Sequence, residues 1–163
     1  MSTANPYDSF IDGRPLQEIL SSTPPALADA LARIGEDHQA VPPAPGKWSA
    51  AEVACHLADC ELVFGFRLRQ TLAEDSPTIQ PFDQDKWATP YRGVPAAHAL
   101  EVFTALRGWN LRLIQSALPN AANRKTTHPV RGEMTFQTLV ETMAGHDLNH
   151  LGQLKKMADS RTS

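Results

Sequence analysis

His146 and His150 stand four residues apart in the segment His146-Asp147-Leu148-Asn149-His150. On a helix that spacing stacks two imidazoles one turn apart on the same face, where they can share a metal ion. The spacing alone is weak, since a chain this short with six histidines produces it by chance about one time in five. Its neighbours sharpen it. With Phe136 set at 0° and about 100° per residue, Val140, Leu151 and Leu154 fall at about 40°, about 60° and about 0°. On the same wheel Leu139 falls at about 300°, Met143 at about 340°, His150 at about 320° and His146 at about 280°. Both imidazoles therefore lie in or beside the apolar stripe, where two polar rings need partners and a shared cation supplies them.

A third ligand is offered from an earlier segment. His56 falls at the edge of the stripe formed by Val53, Leu57, Cys60 and Phe64. Helical bundles build metal sites from side chains that face one another across the core. Three imidazoles that leave one coordination position free form the open arrangement of catalytic zinc, whereas structural zinc takes four protein ligands. Because imidazole must be neutral to ligate, such a site is expected to lose its ion as the pH falls below about 6.

Other residues near this constellation have plainer readings. Cys60, one turn beyond His56, reads as a buried thiol, with a soft fourth ligand as the alternative. Gln153 either lines the site or is solvated. Asp147 points to the middle of the apolar face and is expected to accept a hydrogen bond from an imidazole or from the indole of Trp48 or Trp87. Asn149 reads as solvent-facing, His38 and His98 as surface residues, and His128 as a turn residue.

The elements that position these residues are helices. Thr23-Pro24 reads as an N-cap followed by proline at the first helical position, leading into Leu27, Ala30, Leu31 and Ile34. The run Pro42-Pro43-Ala44-Pro45-Gly46 ends that helix. Ser49 and Glu52 have capping-box spacing, with Trp48 and Val53 as a hydrophobic staple, opening a helix to about Leu72. From Glu74 to Val94 periodicity disappears, and a loop this long is more often functional than not. Its aromatic residues Phe82, Trp87 and Tyr91 are expected to hold it against the bundle. A third helix opens at Pro95, carries Leu100, Phe103, Leu106, Trp109, Leu113 and Ile114 inward, and stops at Pro119. After a second loop, Thr135 caps a fourth helix running to about Ala158. No segment reads as a sustained strand. The expectation is an all-α four-helix bundle over residues 23–160, preceded by an extension of residues 1–22.

Composition narrows the function. The 163 residues carry 18 acidic and 15 Lys or Arg side chains, for a net charge of −3, with no basic stripe to engage nucleic acid. No stretch approaches the roughly 18 apolar residues of a membrane span. The start of the chain lacks the basic and apolar segments of a signal peptide, and Cys55 and Cys60 point too far apart on a helix to pair. A cytoplasmic protein without membrane or nucleic-acid partners is expected.

The segments PGKWSAAEVACHLADCELVFGFRLRQTL and HPVRGEMTFQTLVETMAGHDLNHLGQLKKM together resemble the DinB/YfiT-like superfamily of metalloenzymes. Trp48-Ser49, His56-Leu57, Glu61 and a downstream arginine match one motif, and His146, Asp147, His150 and Gln153 match the other. Trp87-Ala88, Arg107, His128-Pro129 and Gly132 also fit. The resemblance implies an up-down-down-up bundle, one zinc or nickel ion on His56, His146 and His150, and a homodimer. It further implies a small-molecule substrate, first a low-molecular-weight thiol such as bacillithiol or mycothiol in an S-transferase; a metal-dependent hydrolase is the alternative, less supported because no glutamate in H-E-x-x-H spacing is present as a base. The remaining alternative is a non-enzymatic metal-binding protein, with a closed coordination sphere and no cavity beside the ion.

Overall fold

A computed structural model describes residues 5–160. Four long helices form the core: α1 (Leu16–Ile34), α2 (Ala50–Ala73), α3 (Ala96–Ala121) and α4 (Phe136–Asp159). A short hairpin of β1 (Lys125–His128) and β2 (Gly132–Thr135) precedes α4. The packing gives the direction of each helix. One apolar cluster joins the C-terminal parts of α1 and α4 to the N-terminal parts of α2 and α3. A second joins the opposite ends. Thus α1 runs parallel to α4, α2 runs parallel to α3, and the two pairs oppose each other, which is the up-down-down-up order.

That order explains the long connection between α2 and α3. The 24 residues of α2 span about 36 Å, and a parallel successor obliges the chain to travel back along that length. The connection does so with two short helical turns, Gln84–Trp87 and Thr89–Tyr91. Asp83 caps the first turn by accepting from the amides of Asp85 and Lys86. Ile79 and Thr127 tie the connection to β1, where the Ile79 N–H donates to the Thr127 carbonyl and the Thr127 N–H to that of Pro77. Tyr91 is buried and its hydroxyl meets Asp59 on α2 at 2.5 Å.

The start of α2 is as expected, with the reciprocal bonds of Ser49 and Glu52 both formed. Thr135 caps α4 at the predicted place. Four expectations are corrected. The first helix begins at Leu16, so the boundary at residues 22/23 falls inside it and Pro24 and Pro25 are interior. Residues 1–4 of the expected extension lie outside the described residues. Interior proline leaves the carbonyl four residues back without its donor. Here the Leu20 carbonyl, which Pro24 cannot serve, accepts from Arg107 Nη1 at 2.9 Å instead. The corresponding carbonyl for Pro25 belongs to the exposed Ser21.

In α3, Trp109 is 63% exposed and Leu106 and Leu113 are only half-buried. The buried stripe is Ala96, Ala99, Phe103, Arg107, Asn110 and Ile114. Pro119 does not stop the helix, which continues to Ala121. The hairpin was also not expected. Its inward residues on β1 are Thr126 and His128, so no apolar alternation announces the strand. Gly132, with φ of 78°, makes the turn that L side chains resist.

Arg107 ties the four helices together. Its guanidinium is buried and pairs with Glu61 of α2 at 2.7 Å and Asp147 of α4 at 2.6 Å. Asp147 also accepts from Thr23 of α1 at 2.8 Å, and Asn110 donates to the Glu61 carboxylate at 2.8 Å. Asn110 reaches across because residue 65 is glycine: a Cβ there would sit 2.7 Å from its Oδ1. Burial opposes the positive charge of Arg107, and the two carboxylates outweigh it and hold its pKa up. Removing the cation strands two buried anions, so Arg107→Met should destabilise the fold by about 3–5 kcal/mol in urea unfolding. A change under about 1 kcal/mol would refute this account of the core.

Candidate metal centre

Each imidazole reaches the centre from a helix that Arg107 already locates. His56 on α2 lies five residues before Glu61, and His146 on α4 is next to Asp147. All three rings are buried, at 1%, 4% and 6% exposure for His56, His146 and His150. One nitrogen from each lies within 4.8 Å of the others, the one such cluster of three among the described residues. The Nε2 atoms of His56 and His146 face each other at 3.0 Å. Ring centroids are 4.5 Å apart for His146 and His150, 4.9 Å for His56 and His150, and 5.1 Å for His56 and His146.

The surroundings are apolar and aromatic. Trp48 packs on His56 with centroids 4.8 Å apart, and Tyr7 meets His146 edge-on at 5.1 Å. Phe64 lies further along the His146 ring, at 6.2 Å. Burial drives the imidazoles towards neutrality, and their mutual repulsion adds to it. His56 is pushed down to about 3, by burial first and by His150 second. His146 is held well below the usual range by burial, then by His150 and His56. His150 is lowered by burial, partly offset by its bond to Gln153 and by Asp147. Gln153 Oε1 lies 3.1 Å from His150 Nδ1, so it holds the proton there and leaves Nε2 with its lone pair.

These residues fit a divalent ion. Neutral imidazoles with converging nitrogens are the form that ligates. A 3.0 Å separation is one that two nitrogens bound to a single ion at about 2.0–2.1 Å can adopt. The adjoining Arg107 cluster holds two carboxylates against one guanidinium, an excess negative charge beside a cation site.

Cys60 is buried with Sγ 3.4 Å from His56 Nε2 and 3.7 Å from His146 Nε2. Burial pushes its thiol pKa far up, reinforced by Asp147, which makes it a protonated neighbour in the absence of an ion. Asp147 does not bond an imidazole or an indole, the partners expected from the sequence. It bonds Arg107 and Thr23 instead, which the pattern could not identify because they lie on other helices. His38 and His98 are exposed as expected, and Asn149 is half-buried in a cavity wall.

His128 is a turn residue, its Nδ1 accepting from the amides of Val130 at 3.1 Å and Arg131 at 3.3 Å. It is also buried and lines the site's cavity, which its loop position did not announce. Arg107 and Asn110 were legible in principle: with Phe103 and Ile114 they keep the core spacing of α3, two polar residues on an otherwise apolar stripe.

Two cavities meet at the centre. One, of about 290 Å³, reaches His56, His146 and Cys60 between Phe64, Phe82, Arg67 and Arg131. The other, of about 750 Å³, reaches His150 between Trp48, Asn149, Gln153 and Lys156. Tyr7 and Gln84 border both. Tyr7 is brought in by the N-terminal segment, whose backbone crosses α4 at Gly145, where a Cβ would overlap the Tyr7 carbonyl.

The chain resembles known proteins in sequence and shape. A model of the DinB superfamily matches residues 19–154. Two proteins of Oceanobacillus iheyensis, each named "Putative metal-dependent hydrolase", are 29% identical over 114 residues and 27% identical over 113. The matches cover 68% and 69% of this chain but 64% and 66% of those proteins, just under two thirds of their length. A protein of the same name from Bacillus mycoides is 25% identical over 145 residues, 88% of this chain and 83% of its own. YfiT from Bacillus subtilis, described as a probable metal-dependent hydrolase with an unusual four-helix bundle topology, superposes with a TM-score of 0.83. It is 20% identical, over 90% of this chain and 86% of that one, and shares the fold.

The depressed imidazole pKa values set a pH dependence. Unfolded, the histidines take up protons near 6.5; folded, His56 resists until about 3. Between those values the unfolded chain binds more protons, so stability falls as pH drops through that window. The metal-free protein should therefore melt progressively lower from pH 7 to pH 5, and His56→Gln should flatten the trend. A flat profile in the parent would contradict the burial. The same depression carries proton competition for the metal to a lower pH than imidazoles of ordinary pKa would show.

Proposed function

The chain belongs to the DinB superfamily, and from that premise we propose that it is a metal-dependent hydrolase holding one zinc or nickel ion on His56, His146 and His150. The observation that carries this reading is three buried, neutral imidazoles converging at the junction of two cavities, rather than in a closed core. A closed four-ligand centre would have no such space beside it. The names of the relatives point the same way. A bound ion would supply Lewis acidity, lowering the pKa of water at its open position and polarising a carbonyl or related electrophile.

The chain's own groups set the conditions for that chemistry. Trp48, Tyr7 and Phe64 exclude bulk water from the rings, which strengthens every charge interaction inside. Gln153 fixes the tautomer of His150. His128 accepts two backbone N–H groups at Nδ1, so its proton sits on Nε2, a donor for an oxygen in the cavity that it lines. Glu61 and Asp147 are held by Arg107 and do not serve as bases. The cavities suit a small-molecule substrate.

Thiol transfer is the second reading, favoured by there being two cavities where hydrolysis of a small substrate needs one. The larger could seat a low-molecular-weight thiol beside His150 and the smaller its acceptor. Elemental analysis should find about one divalent ion per chain, reduced at least tenfold in His56→Ala and His150→Ala. The loaded protein, given an ester and epoxide panel with and without a thiol, should release water-derived products by mass spectrometry. Thiol adducts would establish transfer instead, and stoichiometric metal in both variants would exclude the triad.

The homodimer expected from the family resemblance has a candidate face. Leu62 and Phe66 on α2 and Val102 and Trp109 on α3 are all more than half exposed, and Arg69 lies over the Trp109 ring at 5.7 Å, joining the two rows. Apolar side chains gathered this way mark an interface more often than a solvated surface. Light scattering should give a dimer for the parent and a monomer for Phe66→Glu/Trp109→Glu; a monomeric parent would remove the proposal.

A further inference from the structure

The smaller cavity contains two guanidinium groups without counter-ions. Arg67 is only 7% exposed, and its Nη2 donates to the Gln80 carbonyl at 2.6 Å. Its Nε is buried with no partner. The rings of Phe64 and Phe82 flank it at 6.0 and 5.9 Å. Arg131, half-buried at the hairpin turn, lines the same cavity, held in place through its backbone bond to His128. Neither forms an ion pair among the described residues.

The contrast with Arg107 is informative. Both arginines are buried, yet Arg107 has two carboxylates and Arg67 has none. A buried, unpaired charge is costly and is retained where something else neutralises it. The neighbours worsen the imbalance. Burial and then Arg131 lower the proton affinity of Arg67, and after burial both guanidiniums lower that of His128. The nearest metal-centre residues are neutral, and a bound cation would add positive charge.

We propose that Arg67 and Arg131 form an oxyanion-binding subsite beside His56 and His146, selecting small substrates that carry a carboxylate or phosphate group. The planar forks of arginine match both groups, and a desolvated cavity makes the pairing strong. The apolar side chains of Phe64, Phe82 and Val130 leave room for a short hydrocarbon portion between the anion and the metal centre. The inference rests on the hydrolase reading for what happens at the centre, but the subsite itself is formed without an ion.

Calorimetric titration of the full chain, zinc-loaded and metal-free, with succinate, methyl phosphate and neutral succinamide tests it. One or both anions should bind and succinamide should not. Arg131→Gln, which alters a half-exposed side chain, should weaken anion binding by on the order of tenfold in both forms. Arg67→Lys should do likewise while preserving the buried charge. The preferred anion distinguishes carboxylate from phosphate. Equal binding of succinamide, no binding of either anion, or affinities unchanged in both variants would overturn the proposal. Arginine-dependent binding in a protein that retains no zinc would uphold the subsite and sink the metal reading; zinc retained without such binding does the reverse.

Discussion

The Arg107 guanidinium, buried between the Glu61 and Asp147 carboxylates, is the interaction on which the rest of the bundle's geometry depends. From α3 it reaches a group on each of the other three helices: the Leu20 carbonyl of α1, Glu61 of α2 and Asp147 of α4. Apolar packing brings helices together but tolerates rotation and sliding; a buried ion triad with directional hydrogen bonds does not. Asp147 fixes the rotation of α4 and with it the direction of His146 and His150. Glu61 does the same for α2 and His56. Two otherwise unfavourable features become intelligible through it. Proline inside α1 frees the carbonyl that Arg107 needs, and glycine in α2 leaves space for Asn110.

The metal centre combines two opposed demands. Ligands must be neutral, which burial among Trp48, Tyr7 and Phe64 ensures. An incoming dication must nevertheless find the site favourable, and the Arg107 cluster, with two carboxylates against one guanidinium, lies in the core outside the linings of both cavities. The carboxylates thus favour the ion without competing as ligands. On the other side, Arg67 and Arg131 bring positive charge to the face where a substrate would arrive.

Much of this is readable from local pattern. The capping box of α2, the Thr135 cap and the apolar face of α4 locate the helices that carry the histidines, because those signals depend only on residues within a turn or two. His56 joins His146 and His150 by its place on the α2 stripe. What escapes is whatever depends on a partner distant in sequence. Pro24 reads as a helix start because the bond that compensates it comes from α3, 83 residues later. Trp109 reads as core because apolarity is the only guide, and the pattern gives Arg107 no structural role because its carboxylate partners lie on other helices. The hairpin is invisible because threonine and histidine fill the inward positions of its first strand and Met134 alone is apolar and buried on its second. Arg67 is one cation among many until its isolation from any carboxylate can be seen.

The parallel pairing of α2 and α3 has a consequence for how such a protein can change. The connection that it demands must run the length of the bundle, and it does so past the metal centre, lending Pro81, Phe82, Gln84 and Asp85 to the cavity walls. Few of its residues are buried, so most of them can be exchanged without disturbing the helices. The helices that carry the three histidines and the connection that walls the cavities are thereby almost independent of each other in sequence. The walls of both cavities can be redrawn through one tether, while the four helices and their central salt bridge stay as they are.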